Sequence, residues 1–168
     1  MTSTTLRKLD YFYVFYFVFH AIITILIDAA IVIPRKYQLS FQTFLLDKHI
    51  QDHNDPLVAD PPVWFQSFVV VEVVGQLPFF FIAAYAFAKG SANIYITTLV
   101  YGVVASITTY GCLAEVMFGL DSAALSASDR QSLIWMYLPT FVIPLGIAID
   151  MSCRISKLLS IPISKKEQ

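Results

Sequence analysis

Three features of the chain predict an all-α, integral membrane bundle of four helices. The first is composition. Of 168 residues, 57% are hydrophobic and 14% charged, with a mean hydropathy of +0.67, whereas soluble domains carry about 25% charged residues. The second is that the apolar residues gather in four windows, approximately 11–33, 63–88, 94–118 and 131–152, each near the roughly 20 residues a helix needs to cross about 30 Å of hydrocarbon. The third is that little chain remains between the windows. Residues 1–168 therefore read as one four-span domain, with 153–168 as a tail and both termini on one side.

The first window is too long for the apolar stretch of a secretory leader, and no small-x-small cleavage site follows it, so an uncleaved helix is expected. Basic residues set the orientation. Seven of them (Arg7, Lys8, Lys89, Arg154, Lys157, Lys165 and Lys166) fall on the side of the termini and the second loop, against four (Arg35, Lys36, Lys48 and Arg130) on the other. Both termini are expected in the cytosol and the first and third loops in a lumen.

The first loop is the long one. Its segment YQLSFQTFLLDKHI carries Leu39, Phe41, Phe44, Leu45 and Ile50 at partly helical spacing, which predicts a short amphipathic helix laid against the lumenal mouth of the bundle. Asp55-Pro56 and Asp60-Pro61-Pro62 punctuate a turn, and Pro62 is placed to open the second span at its first turn. Within the spans, Pro78 in the second and Pro139 and Pro144 in the fourth each remove a backbone donor and predict bent, splayed helices with hollows between them. Cys112 and Cys153 match no disulfide framework or zinc spacing. No cofactor or metal is expected.

The chain closes on Lys165, Lys166, Glu167 and Gln168. This fits the dilysine KKxx address that coat proteins read on membrane cargo returning to the endoplasmic reticulum, and the address requires the cytosolic C-terminus that the charge count predicts.

Two acids inside the apolar windows carry the functional expectation. Asp28 lies five residues or so before the end of the first span and Glu72 about nine residues into the second, depths of roughly 8 and 14 Å from the same side at about 1.5 Å per residue. An ionised acid there costs about 2.5–3.5 kcal/mol on insertion scales, so both are expected to face inward and to serve a function. Adjacent carboxyls in a low dielectric share a proton, leaving about one negative charge for a lipophilic ammonium or a hydroxyl on a greasy ligand. His20, Thr24 and Asp28 recur every four residues, as do Glu72 and Gln76, so each set forms one polar stripe. Thr108 and Thr109 add hydroxyls on the third span. Glu115, within a turn of the lumenal end, and Asp150, four residues before Arg154, fall outside this set; the second spacing predicts an ion pair on a helix surface.

The run PPVWFQSFVVVEVVGQLPFF, with YAFAKGS after it, YFVFHAIITILID and VIPR in and after the first span, and Asp55-Pro56-Leu57 in the loop closely resemble the sigma-2 receptor family of the EXPERA superfamily. The resemblance covers nearly the whole chain and is most specific in the first two spans. It implies a four-helix protein of the endoplasmic reticulum, often a homodimer, whose pocket opens to the bilayer and binds sterols and cationic amphiphiles. By matched positions, Asp28 would take the ligand amine, Glu72 would hydrogen-bond Asp28, and Gln76, His20, Thr109 and Tyr137 would line or support the pocket, with Asp55 a structural acid of the loop. One departure falls in the fourth span, where Tyr137-Leu138-Pro139-Thr140 replaces a family pattern of Tyr-x-Pro-Tyr.

The same superfamily contains the emopamil-binding sterol isomerase. Its pattern places a histidine one turn before the second-span glutamate, where this chain has Phe68. The main expectation is therefore a non-enzymatic receptor for sterols and lipophilic amines involved in lipid handling. The alternatives are a sterol Δ8–Δ7 isomerase and a structural or quality-control membrane factor. Expected partners are the ligand, membrane lipid, a second copy of the chain and coat proteins. No phosphate loop, nucleophile elbow or basic nucleic-acid face is present, and four spans with one acidic pair do not line a channel.

Overall fold

A computed structural model describes residues 7–119 and 123–160. Every regular element among them is helical, and four helices are long and apolar enough to cross a membrane. In chain order the elements are α1 (Lys8–Val32), α2 (Ser40–His53), α3 (Pro56–Ala59), α4 (Val63–Ala88), α5 (Ala92–Phe118) and α6 (Ala127–Leu159). The spanning helices are α1, α4, α5 and α6. Lys165 and Lys166 lie outside the described residues.

Local chemistry accounts for where these helices stop. Pro34 forbids helical geometry at Ile33, which is extended (φ −81°, ψ 123°). The side-chain amide of Gln38 then donates to the freed carbonyls of Ala30 and Ile33 at 2.7 and 2.8 Å. Helix α2 ends on left-handed Asn54 (φ 51°), a conformation asparagine tolerates. Asp55 caps α3 by accepting from the Leu57 N–H at 3.0 Å. Helix α4 ends in a Schellman motif. Gly90 takes φ 64°, its N–H reaches Phe87 O, and the Ser91 N–H reaches Ala86 O, both at 3.0 Å. Helix α6 starts on Ser126, which accepts from the Asp129 N–H at 3.1 Å, and runs unbroken through Pro139 and Pro144.

Helix α1 packs along α4 and α5 along α6. The two pairs close around two apolar cores stacked along the bundle. The core at the end carrying the termini gathers Tyr13, Phe17, Phe80, Phe87, Tyr101, Ile147 and Met151. The core at the loop end gathers Leu57, Phe65, Val69, Cys112, Val116 and Leu133. Outward faces carry large apolar residues such as Phe15, Val74, Ile107 and Ile149, as a chain solvated by lipid requires. The α5–α6 contact depends on Gly102, where a Cβ would stand 2.7 Å from Pro144 O and 2.9 Å from Ala148 N. Small residues let membrane helices approach this closely.

Two expectations change. Helix α2 forms, but it does not lay its phenyl groups on the bundle: Phe41 and Phe44 are exposed, while Gln42 and Leu46 are buried. The polar contacts decide the rotation. Gln42 Nε2 donates to Ile25 O at 2.8 Å and His49 Nε2 lies 3.1 Å from Asp55 Oδ2. The two rings are left facing out, as on a helix lying in a membrane interface. At the outer edge Arg35 grips Asp47 at 2.7 and 3.2 Å and holds that carboxyl below its ordinary range, although exposed pairs add little stability.

The second change concerns Asp150 and Arg154: the expected ion pair forms at four-residue spacing, but not on the helix surface, because Arg154 is only 4% exposed. Its Nη1 bonds Asp10 Oδ1 at 2.5 Å across the bundle, and its guanidinium lies 5.5 and 5.3 Å from the ring centres of Tyr13 and Tyr95. The Nε is 2.7 Å from Asp150 Oδ2 but out of line for a hydrogen bond, so that contact is coulombic; Asp150 accepts instead from the Tyr13 hydroxyl at 2.8 Å. This clasp ties α1 to α6. The four-residue spacing showed only the half of it that lies on one helix.

Gly102→Ala is expected to cost about 1–3 kcal/mol by overpacking. Gly146→Ala on α6, where a new Cβ meets nothing within 4 Å, is expected to be neutral or to stabilise by up to about 1 kcal/mol. Thermal unfolding of the detergent-purified proteins checks the pair, and equal melting temperatures would show that the close approach does not hold α5 to α6.

Candidate functional site

The regular α-helical pattern of α1 and α4 is interrupted once in each, and the two interruptions face each other. In α1, residues Thr24–Asp28 form a π-helical turn in which the Ala29 N–H reaches back five residues to Thr24 O. In α4, Glu72–Gln76 form another, closed by the Leu77 N–H on Glu72 O. The second follows from sequence chemistry. Pro78 lacks an N–H and its ring collides with the carbonyl four residues back, so the turn before it widens, an adjustment known to accommodate prolines in membrane helices. The first has no proline within it. Its loosened Ile25 carbonyl is the one that Gln42 of α2 takes up. Turns of this kind are rare and gather at functional sites.

Both acids lie on these turns, between the two apolar cores. Glu72 Oε1 accepts from the Thr24 hydroxyl at 2.7 Å and lies 3.1 Å from His20 Nε2. Asp28 ends the turn that Thr24 begins, facing the turn that carries Glu72. Thr24 is fully buried, whereas His20, Asp28 and Glu72 keep part of their surface, the side chains of His20 and Glu72 being 17% and 22% exposed.

A hydrogen-bonded chain continues behind Glu72. His20 Nδ1 is 3.0 Å from the Tyr16 hydroxyl, which is 2.6 Å from the hydroxyl of Tyr101 on α5. An ionised carboxylate only accepts. With Glu72 ionised and the imidazole neutral, Nε2 therefore carries the proton, Tyr16 donates to Nδ1, and Tyr101 donates to Tyr16. Tyr16 and Tyr101 were not among the residues expected from sequence. Tyr16 had a signal, since it extends the His20, Thr24, Asp28 stripe by one more turn, but nothing in the chain marks Tyr101.

The remaining expected residues fall around this centre. Tyr137 of α6 donates to Asp55 Oδ2 at 2.9 Å and packs against the core at the loop end. Asp55 is wholly buried and also meets His49 and the Leu57 N–H, so it joins α2, α3 and α6. Gln76 and Thr109 are half-buried and make no hydrogen bond among the described residues. No group of three metal-ligating side chains occurs among those residues.

Thr24→Val keeps the shape of Thr24 but removes a buried donor to Glu72, and is expected to lower stability by about 1–2 kcal/mol. Thr24→Ser should retain most of it. Thermal unfolding of both variants checks the bond, and a valine protein as stable as the parent would exclude it.

The chain resembles known proteins along most of its length. A family model described as EXPERA, the expanded EBP superfamily, matches residues 41–151. Sigma intracellular receptor 2 of Xenopus tropicalis is 34% identical over 151 residues, covering 86% of this chain and 88% of the relative. The Homo sapiens receptor of the same name is 35% identical over 157 residues, covering 88% and 89%. The Efficient mitochondria targeting-associated protein 19 of Saccharomyces cerevisiae is 35% identical over 150 residues, covering 81% and 92%. A family match through three of the four spans, with relatives along most of the length, means that the chain belongs to the EXPERA superfamily, as a sigma-2 receptor-like membrane protein.

Proposed function

We propose that this protein binds, without transforming it, an amphiphile with a greasy body and one polar head, a sterol or a lipophilic cationic amine, as part of lipid handling in the endoplasmic reticulum. The observation that carries this reading is the meeting of Asp28 and Glu72 on two facing π turns between the apolar cores. Asp28 is the counter-charge for an ammonium or the partner of a hydroxyl. Glu72, steadied by Thr24 and His20, fixes it from behind. Gln76, Thr109 and Tyr137 line or support the pocket, and Thr140 in place of an aromatic residue alters its wall. Two copies of the chain associate, and Lys165 and Lys166 return the protein through coat-protein recognition. The names of the vertebrate relatives support a receptor role.

One observation favours the sterol isomerase as second reading. The histidine missing at Phe68 is supplied from α1, since His20 Nε2 stands 3.1 Å from Glu72, and a paired acid and base is what proton transfer through a carbocation needs. The name of the fungal relative favours the third reading, a membrane factor acting on partner proteins.

Native lipid extraction and mass spectrometry of the purified protein, beside Asp28→Asn, tests the main reading. A sterol is expected from the parent and lost from the variant. Binding of a cationic amphiphile should weaken about tenfold to a hundredfold, the worth of one charge-assisted bond. Undiminished binding by Asp28→Asn would overturn the proposal. Conversion of a Δ8-sterol to a Δ7-sterol that depends on His20 and Glu72 would replace it with the isomerase.

A further inference from the structure

A second acid stands apart from the site just described. Glu115 lies in the last turn of α5, and its Oε1 is buried without a hydrogen-bond partner among the described residues. A buried carboxylate oxygen left unpaired is costly, so the group is suited to meet something outside them. Arg130, the basic side chain next in sequence, is engaged elsewhere, donating to Met117 O at 2.8 Å.

The surroundings say what that partner is. Glu115 borders an open groove of about 430 Å³ between α4 and α5 at the loop end, walled by Trp64, Phe68, Gly111, Ala114 and Phe118 and closed by Gly119. The carboxyl folds back over Gly119, where a Cβ would overlap it. The Phe68 ring lies beside Gly111, where a Cβ would meet it at an ordinary contact distance of 3.7 Å. Trp64 and Phe68 stack edge-to-face at 5.5 Å, one turn apart on α4. A carboxylate and two aromatic rings around one apolar groove suit an alkylammonium, which takes the charge on one side and the ring faces on the other. Phe118 at the rim is 82% exposed and continues the apolar surface along which an alkyl chain would lie. A hydrated inorganic ion would gain nothing from such walls.

We infer that the α4–α5 groove is a separate site for the ammonium head of a membrane amphiphile, with Glu115 as its counter-charge and Trp64 and Phe68 as its walls. It shares no hydrogen bond with Asp28 or Glu72, and it stands whether or not that pair binds a ligand. The ammonium comes either from a free cationic amphiphile or from the choline head of a neighbouring lipid.

The chain has two tryptophans, so Trp135→Phe, at an exposed position, leaves Trp64 as the only indole reporter. The full-length variant in lipid nanodiscs is titrated with a bromoalkyl trimethylammonium, whose bromine quenches a nearby indole. Saturable quenching is expected, weakened about tenfold by Glu115→Gln, the worth of one charged contact, and unchanged by Asp28→Asn. Gly119→Ala is the second variant. Its backbone (φ −72°, ψ 156°) admits alanine, while the new Cβ displaces the carboxyl, so quenching should weaken with the acid still present. Titration weaker in phosphatidylcholine discs than in discs of an uncharged glycolipid, which carry no ammonium head and no net surface charge, assigns the site to the lipid head, and equal titrations assign it to the free amphiphile. Quenching untouched by both Glu115→Gln and Gly119→Ala, or removed by Asp28→Asn, overturns the inference.

Discussion

The contact on which the arrangement of this protein turns is the one between Glu72 and α1. A carboxylate part-way through a membrane has no water to fall back on, so its partners must come from the neighbouring helix. Thr24 and His20 supply them on one oxygen. Because both belong to α1, a slip of α1 against α4 by one turn would leave the acid unpaired and Thr24 and His20 without it. The same bonds that satisfy Glu72 therefore set the register of the two helices and bring Asp28 to it. The Arg154 clasp does similar work at the terminal end, where Asp10, Tyr13 and Asp150 enclose the guanidinium.

The two π turns explain how a polar layer fits between two close-packed apolar cores. A widened turn shifts the phase of the helix beyond it, so one face of α1 carries Tyr13 and Phe17 into the core near the termini while its far end still presents Ile31 and Val32 to the other core. Widening also loosens backbone carbonyls. The fold uses this on α1, where Gln42 takes the Ile25 oxygen and so docks α2 over the loop end. That helix in turn carries His49 to Asp55, which accepts from Tyr137 of α6. The first loop is thus tied to the α1 π turn and to α6 through hydrogen bonds, and its phenyl rings face outward.

The two acidic positions differ in kind. Glu72 is held on Oε1 by Thr24 and His20, whereas Glu115 has a buried oxygen that nothing among the described residues satisfies. The first arrangement is preorganised from within and the second is complete only with a guest.

Hydrophobicity alone determined that this chain makes four spanning helices, because a backbone in lipid has few alternatives to the helix, and the cost of burying charge marked Asp28 and Glu72 as inward-facing. Periodicity grouped His20 with Thr24 and Asp28, and sequence motifs identified the family. Only the tertiary structure decided what those stripes touch. The α1 π turn has no local cause in Thr24–Asp28, Arg154 finds Asp10 from the far end of the chain, Tyr101 reaches Tyr16 from a third helix, and Gln42 rather than Phe41 turns inward because of a carbonyl seventeen residues away. Each of these is a contact between elements distant in sequence. Such contacts follow from how helices satisfy one another's polar groups, and no periodicity within a single helix encodes that.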